Sequence, residues 1–251
     1  MLILVFFAHA SFVSFLVLIA TVPIILYSKR PHLLDIFWSL GIFISTLITL
    51  TVFYEPPNQH TIPLLLLFIW AMRLSVYLLY TRIFKAHTDS RYAYLSKQSL
   101  FITTLKQVGF QSILQGMLVT TFYPLLFLDT LHPAFLTLGL FVGGLGIAFE
   151  SIADYQLYRF KKQHTGICNV GLWQYSRHPN YFFECMVWVG FSIMFIPNLL
   201  TLISLIGPFS IFVITYFITG RLTEKTSQLR HGEPYLNYQK NTPYFFPWKG
   251  H

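Results

Sequence analysis

Seven apolar stretches, each cut off from the next by a polar or charged run, set the rhythm of this chain. They cover residues 2–27, 34–53, 62–82, 109–128, 133–153, 181–197 and 199–219. A helix needs roughly 20 predominantly apolar residues to cross a bilayer, so the pattern predicts seven transmembrane helices and an all-α fold. Only Pro197-Asn198 separates the last two stretches, which predicts a tight helical hairpin. Pro23, Pro63, Pro124 and Pro208 fall within or at the edges of spans, where a membrane bundle tolerates them. The loops at 83–108 and 154–180 and the tail at 220–251 are the sizeable polar pieces. With no internal repeat and no low-complexity run, residues 1–251 are expected to form a single integral membrane domain.

Composition strengthens the membrane reading. The chain is 55% hydrophobic and only 10% charged, where soluble chains carry about a quarter charged residues. The first apolar stretch has no basic residue before it and no small-residue cleavage site, so a retained first helix is expected rather than a signal peptide. The net charge of +8 raises the question of nucleic acid, but the basic residues flank the spans, which is a topology signal instead.

Their placement predicts the orientation. Lys29 and Arg30 lie in the first loop, and Arg82, Lys85, Arg91, Lys97 and Lys106 at or within the third. Arg159, Lys161, Lys162 and Arg177 lie in the fifth, and Arg221, Lys225, Arg230, Lys240 and Lys249 in the tail. Only Arg73 is inside a span, and the opposite loops hold just the acids Glu55 and Asp129. Cytoplasmic loops collect Lys and Arg, so the amino end is expected outside and the carboxyl end in the cytoplasm.

Against this background Gly171-Leu-Trp-Gln-Tyr-Ser-Arg-His-Pro-Asn-Tyr-Phe-Phe-Glu184 is unusually dense in polar function. Pro179 suits the first turn of a helix, where its missing N–H costs nothing. Arg177 and His178 then sit just ahead of a helix start, where free N–H groups and the helix dipole favour an anion. Arg177 has the fork to grip a phosphate. Asn180 and Glu184 share a face at a spacing of four. The plainer reading makes Arg177 and His178 interfacial charges, and Trp173, Tyr175 and Tyr181 an aromatic belt. Glu184, an intramembrane glutamate, argues for function instead.

Glu150, Asp154, Tyr158 and Lys161 form a second polar face at helical spacing. Carboxylates near a helix carboxyl end oppose its dipole and need a partner: Arg73, Arg177 or a ligand's hydroxyl and amide groups. Asp89-Ser-Arg91-Tyr92 reads by itself as a polar loop. The tail, with Glu224, Tyr235, Tyr238 and Phe246-Pro247, reads either as an amphipathic segment folded back beneath the bundle or as a membrane-surface helix. No HExxH, CxxC pair or Walker loop is present, and His164 and Cys168 are an isolated i,i+4 pair, so no metal is expected. Gly143-Gly-Leu-Gly146 lies inside a span and suits close helix packing.

Taken together, Asp35…Trp38-Ser39, Trp70…Arg73, Asp89-Ser-Arg91-Tyr92, Glu150…Ala153-Asp154…Gln156, the Gly171–Glu184 motif and the tail resemble the steroid 5-alpha-reductase superfamily. The chain is similar to bacterial membrane proteins with that family's C-terminal domain. The superfamily is related to sterol reductases and isoprenylcysteine carboxyl methyltransferases. The resemblance implies a multi-pass protein of the bacterial inner membrane that binds NADPH on its cytoplasmic side. It would reduce a carbon–carbon double bond of a steroid-like or other lipophilic substrate held in the bilayer among membrane lipids. Positions matching Asp154, Lys161, Asn180 and Glu184 help hold the cofactor in such reductases. Arg177 and His178 match the sterol-reductase and methyltransferase branches, where the Arg-His-Pro motif faces the cofactor. Phe183 stands where the family usually has glycine, and a ring there would narrow the cofactor channel.

The expected cofactor set is therefore Arg91, Tyr92, Glu150, Asp154, Lys161, Tyr175, Arg177, His178, Asn180, Glu184, Glu224 and Tyr235, within a cofactor-binding part at about 140–251. Arg177, His178 and Lys161 would take phosphates, and Asn180, Glu184 and Asp154 the nicotinamide and ribose. Asp35 and Tyr181 are candidate proton donors. The alternative is a methyltransferase using S-adenosylmethionine on a lipid or prenylated substrate. A transporter or receptor would spread polar residues through the membrane depth, whereas here they crowd one end. No nucleic-acid partner is expected.

Overall fold

The computed structural model describes residues 1–30, 33–53, 61–83 and 99–247. Asp89, Arg91 and Tyr92 lie outside the described residues. Among the described residues the regular structure is all helical. Five helical segments are long and apolar enough to cross a membrane: Leu2–Ser28, Leu34–Phe53, Thr61–Thr81, Pro133–Gln163 and Thr201–His231. The chain divides into two compact units, one of Met1–Leu140 with Phe191–Gly207, the other of Phe141–Gly190 with Pro208–His251.

The first unit holds α1 (Leu2–Ile19), α2 (Val22–Ser28), α3 (Leu34–Phe53), α4 (Thr61–Ile83) and α5 (Leu100–Thr120). The first apolar stretch is thus two helices. Thr21 turns its hydroxyl onto the Leu18 carbonyl at 2.7 Å, and Pro23 restarts the helix in its first turn, where a missing N–H is harmless. Leu18, Val22, Ile25, Leu34 and Val108 close an apolar core around this break. Serines join α3 to α4: the Ser39 and Ser75 hydroxyls lie 2.7 Å apart, with the Ala71 carbonyl 3.0 Å from Ser39 and the Ile36 carbonyl 2.9 Å from Ser75, so one serine donates to the other, which passes its own proton to a carbonyl. Such hydroxyls hold helices together where apolar surface gives no driving force.

The helix expected at 109–128 is displaced. α5 begins at Leu100 and ends at Thr120, after which Pro124 sits in a 3₁₀ turn, Tyr123–Leu126. Thr103, Lys106 and Gln107 lowered the apparent apolar content of its first half, yet Thr103 is buried there. At Pro197-Asn198 the expected turn is made: the Asn198 side chain accepts from the Leu200 N–H at 2.8 Å, and Thr201 N–H bonds the Asn198 carbonyl at 2.9 Å.

The second unit takes most of α6 (Pro133–Gln163) and α7 (Pro179–Met194) and the end of the chain. α8 (Thr201–Ser204) belongs to the first unit, and the chain passes into the second within α9 (Ile206–Val213). A π turn (Ile214–Thr219), α10 (Gly220–His231) and α11 (Glu233–Asn241) follow. α6 runs ten residues past the expected end at 153, carrying its polar face out as one rigid rod. Its Gly146 lies so close to α7 that a Cβ would stand 2.8 Å from the Val187 nitrogen and 2.9 Å from the Phe183 carbonyl oxygen. Phe183 uses its ring in this contact, stacking on Phe149 with centroids 5.1 Å apart.

Candidate functional site

The approach to α7 is built on α6. Gly171 has φ +60°, a left-handed conformation that favours glycine, and it lies against the end of the Gln156 side chain. Gln156 then accepts a hydrogen bond from the Leu172 N–H at 2.9 Å, and the Trp173 indole donates to the Ala153 carbonyl at 2.9 Å. Gly171–Gln174 forms a single 3₁₀ turn, capped by Tyr175. Two sequence motifs separated by fifteen residues are thus one physical contact.

α7 begins at Pro179, as its sequence predicts. Ahead of it, Arg177 and His178 both turn to Glu224 of α10. Arg177 donates from Nε to Glu224 Oε1 at 3.1 Å and from Nη2 to Oε2 at 3.0 Å. His178 Nε2 reaches Oε1 at 3.1 Å, so that nitrogen carries the proton toward the carboxylate. Tyr235 donates to Oε1 at 2.7 Å, and the Gln239 amide donates to Oε2. One buried carboxylate therefore gathers three side chains besides its arginine. This arrangement places the bidentate fork, expected on a phosphate, on Glu224 instead. The remaining Arg177 nitrogen, Nη1, bonds the Gln239 and Thr242 carbonyls.

The backbone completes the closure. Arg177 N–H bonds the Pro243 carbonyl at 2.9 Å, Ser176 donates to the Phe245 carbonyl at 2.7 Å, and Tyr238 donates to the Trp173 carbonyl. Of the two readings of the tail, the observed one is a segment folded back onto the head of α7. Two guanidinium groups stand over the Tyr244 ring, Arg177 5.4 Å and Arg221 5.0 Å from its centroid, where the ring quadrupole attracts cations. Its hydroxyl donates to the Tyr216 carbonyl in the π turn at 2.6 Å.

Burial pushes the Tyr235 phenol well above its ordinary range, and the hydrogen bond to the Glu224 carboxylate adds to the shift. Tyr238 is raised chiefly by burial as well. Tyr244 is pushed up to about 12 by burial, with the Arg221 charge pulling the other way.

A second polar pair lies between α6 and α7. Asn180 donates from Nδ2 to Asp154 Oδ1 at 3.2 Å. Asn180 Oδ1 is buried and has no partner among the described residues. Glu150 and Asp154 are buried on one face of α6, and Glu184 follows Asn180 by one turn of α7. Lys161 is exposed in the last turn of α6, where its charge complements the helix dipole.

The predicted residues so divide into groups. Arg177, His178, Glu224 and Tyr235 come together, and so do Asp154 and Asn180. Tyr181 lies flat on the His178 ring, with centroids 5.2 Å apart and planes 5° apart. Asp35 is in the first turn of α3, in the other unit. Sequence reasoning missed Ser176, Gln239 and Tyr244. Ser176 was inside the quoted motif, but nothing in its spacing foretold a hydrogen bond to the Phe245 carbonyl.

No curated protein and no solved structure matches the chain. A family model does, over residues 23–242, which include all of α3 to α11. The chain therefore belongs to the family described as "Protein of unknown function (DUF1295)".

Proposed function

We propose that this protein is an NADPH-dependent reductase of the steroid 5-alpha-reductase superfamily that reduces a carbon–carbon double bond of a lipophilic substrate. The reading takes seven spans, with the amino end outside and residues 140–251 forming a cytoplasmic-side cofactor part. Its main support is the Asp154–Asn180 pair. A buried amide oxygen without a partner is costly, and here it stands beside a carboxylate that also accepts hydrogen bonds. Such acceptors suit the carboxamide N–H groups of a nicotinamide or the hydroxyls of a ribose, and the residues fit that group. Glu150 and Glu184 extend the same acceptor set by one helical turn on either helix.

NADPH would supply the hydride when bound. The chain's own residues would orient it: Asp154 and Asn180 at the nicotinamide end, and Lys161 at a phosphate. Arg177 and His178, held by Glu224, would shape the wall and fasten the tail against it. Tyr181, stacked on His178, remains the candidate proton donor on this side.

Cofactor titration of the purified full-length protein tests the reading. NADPH should bind saturably, and Asn180→Leu should weaken it at least tenfold, about 1.4 kcal/mol. Saturable binding of S-adenosylmethionine with none of NADPH would make the protein a lipid methyltransferase instead.

A further inference from the structure

In the first unit, the interface of α1, α3 and α5 contains polar groups that no protein atom satisfies. His9 Nδ1, Ser11 Oγ and Ser14 Oγ of α1, Ser45 Oγ and Thr49 Oγ1 of α3, and Gln115 Oε1 of α5 are all buried, without a hydrogen-bond partner among the described residues. Ser14, Ser45, Thr49 and Gln115 are 0% exposed. The three helices bring them to one seam. The His9 ring packs at right angles to Phe53, one turn beyond Thr49, with centroids 5.3 Å apart. Ser11 abuts Gly116, and Gln115 lies against Gly41, one turn before Ser45, while its amide nitrogen donates to the Trp38 carbonyl at 2.9 Å.

Helical serines and threonines ordinarily bond back to the preceding turn. Thr46 and Thr120, on the same helices, do so at 2.8 and 2.7 Å. Ser14, Ser45 and Thr49 do not, which leaves their hydroxyls open to a further partner in the seam. In a bilayer no bulk water is at hand, and an unsatisfied polar group there is expensive.

The chemistry of the seam describes its occupant. Hydroxyl groups that can donate or accept stand beside an amide oxygen that accepts and an imidazole nitrogen that does either, according to its tautomer. α1 has no Asp, Glu, Lys or Arg, α3 has only Asp35, and α5 only Lys106, nine residues before Gln115. The occupant is therefore neutral, and both gives and receives hydrogen bonds. We infer that the α1–α3–α5 seam is a binding site for hydroxyl groups, supplied by the head of a long-chain alcohol or by ordered water. This site lies within the first unit and does not depend on the reductase reading.

The test uses full-length protein in detergent and a long-chain alcohol bearing a diazirine, with the matching alkane diazirine as control. Alcohol as the source predicts saturable labelling of peptides from Leu2–Ile19, Leu34–Phe53 and Leu100–Thr120, absent with the alkane. Ser45→Ala and Thr49→Val, which barely change shape, should each cut that labelling at least fivefold. Water as the source predicts no specific labelling, but a lower Tm in Ser14→Ala, Ser45→Ala and Thr49→Val. If labelling is absent and these variants all melt higher than wild type, the seam is dry and the inference is overturned.

Discussion

Arg177 and Glu224, 47 residues apart in sequence, meet as two planar forks, Nε to Oε1 at 3.1 Å and Nη2 to Oε2 at 3.0 Å. The side chains are only 11% and 9% exposed, so the pair is sheltered from screening and its loss leaves a buried charge. Truncating one partner of a buried pair typically costs about 3–5 kcal/mol. Glu224→Ala is expected to destabilise the second unit on that scale, since Arg177, His178, Tyr235 and Gln239 all lose their acceptor. Glu224→Gln keeps an oxygen for Tyr235 and should lose less. Thermal unfolding of both variants checks the order, and a wild-type Tm in Glu224→Ala would refute the clamp.

Close packing of α6 on α7 makes a sharper distinction between two neighbouring glycines. A Cβ at Gly146 would meet the Val187 nitrogen and the Phe183 carbonyl at 2.8 and 2.9 Å, whereas one at Gly144 meets nothing within 4 Å. Backbone atoms cannot rotate away as a side chain can. Gly146→Ala should therefore cost about 1–3 kcal/mol, as overpacking does. Gly144→Ala should be neutral or stabilise by up to about 1 kcal/mol, from helix propensity. Equal melting temperatures for the two variants would contradict this account of the helix contact.

Gly146 was legible in the sequence, as was α7's start at Pro179, because both depend on local residue chemistry. The first apolar stretch was legible only as one segment; its break at Thr21 depends on a side-chain bond. The early start of α5 was hidden because Thr103 and Thr104 look like loop residues until packing buries them. Glu224 was named, but as a cofactor residue rather than the acceptor for Arg177. No periodicity connects partners 47 positions apart. The π turn was equally invisible, since Ile214–Thr219 has the composition of any apolar helix.

Tail docking should depend on alkaline pH. Tyr235, Tyr238 and Tyr244 all have raised phenol pKa values in the folded chain. The unfolded value is about 10. A raised value means the folded state favours the neutral phenol, so this stabilisation is complete below about pH 10. It is lost as pH rises from there through the folded values, about 12 for Tyr244. Proteolysis within α11 should accelerate across this window. Tyr235→Phe should flatten part of that dependence, because it has no proton to lose. A profile that stayed level to pH 12 would be inconsistent with buried, docked phenols.

The π turn carries the most demanding prediction, because it sets the rotation of everything after it. One extra residue in a helix turns the following segment by about 100°. That rotation points Glu224, on α10, at Arg177. Gly220 ends the turn, and a Cβ there would lie 2.5 Å from the Thr215 carbonyl oxygen and press on the Tyr244 hydroxyl and ring. Gly220→Ala must therefore displace Tyr244 or drive the turn back to α geometry. The first course breaks the bond from Tyr244 to the Tyr216 carbonyl, and the second swings Glu224 away from Arg177. Either way the tail loses its anchor. Hydrogen exchange should show faster amide exchange across Glu233–Asn241 in Gly220→Ala, while the α3 amides, in the other unit, keep their wild-type rates. If Glu233–Asn241 retained full protection, the π turn would not be what aims Glu224.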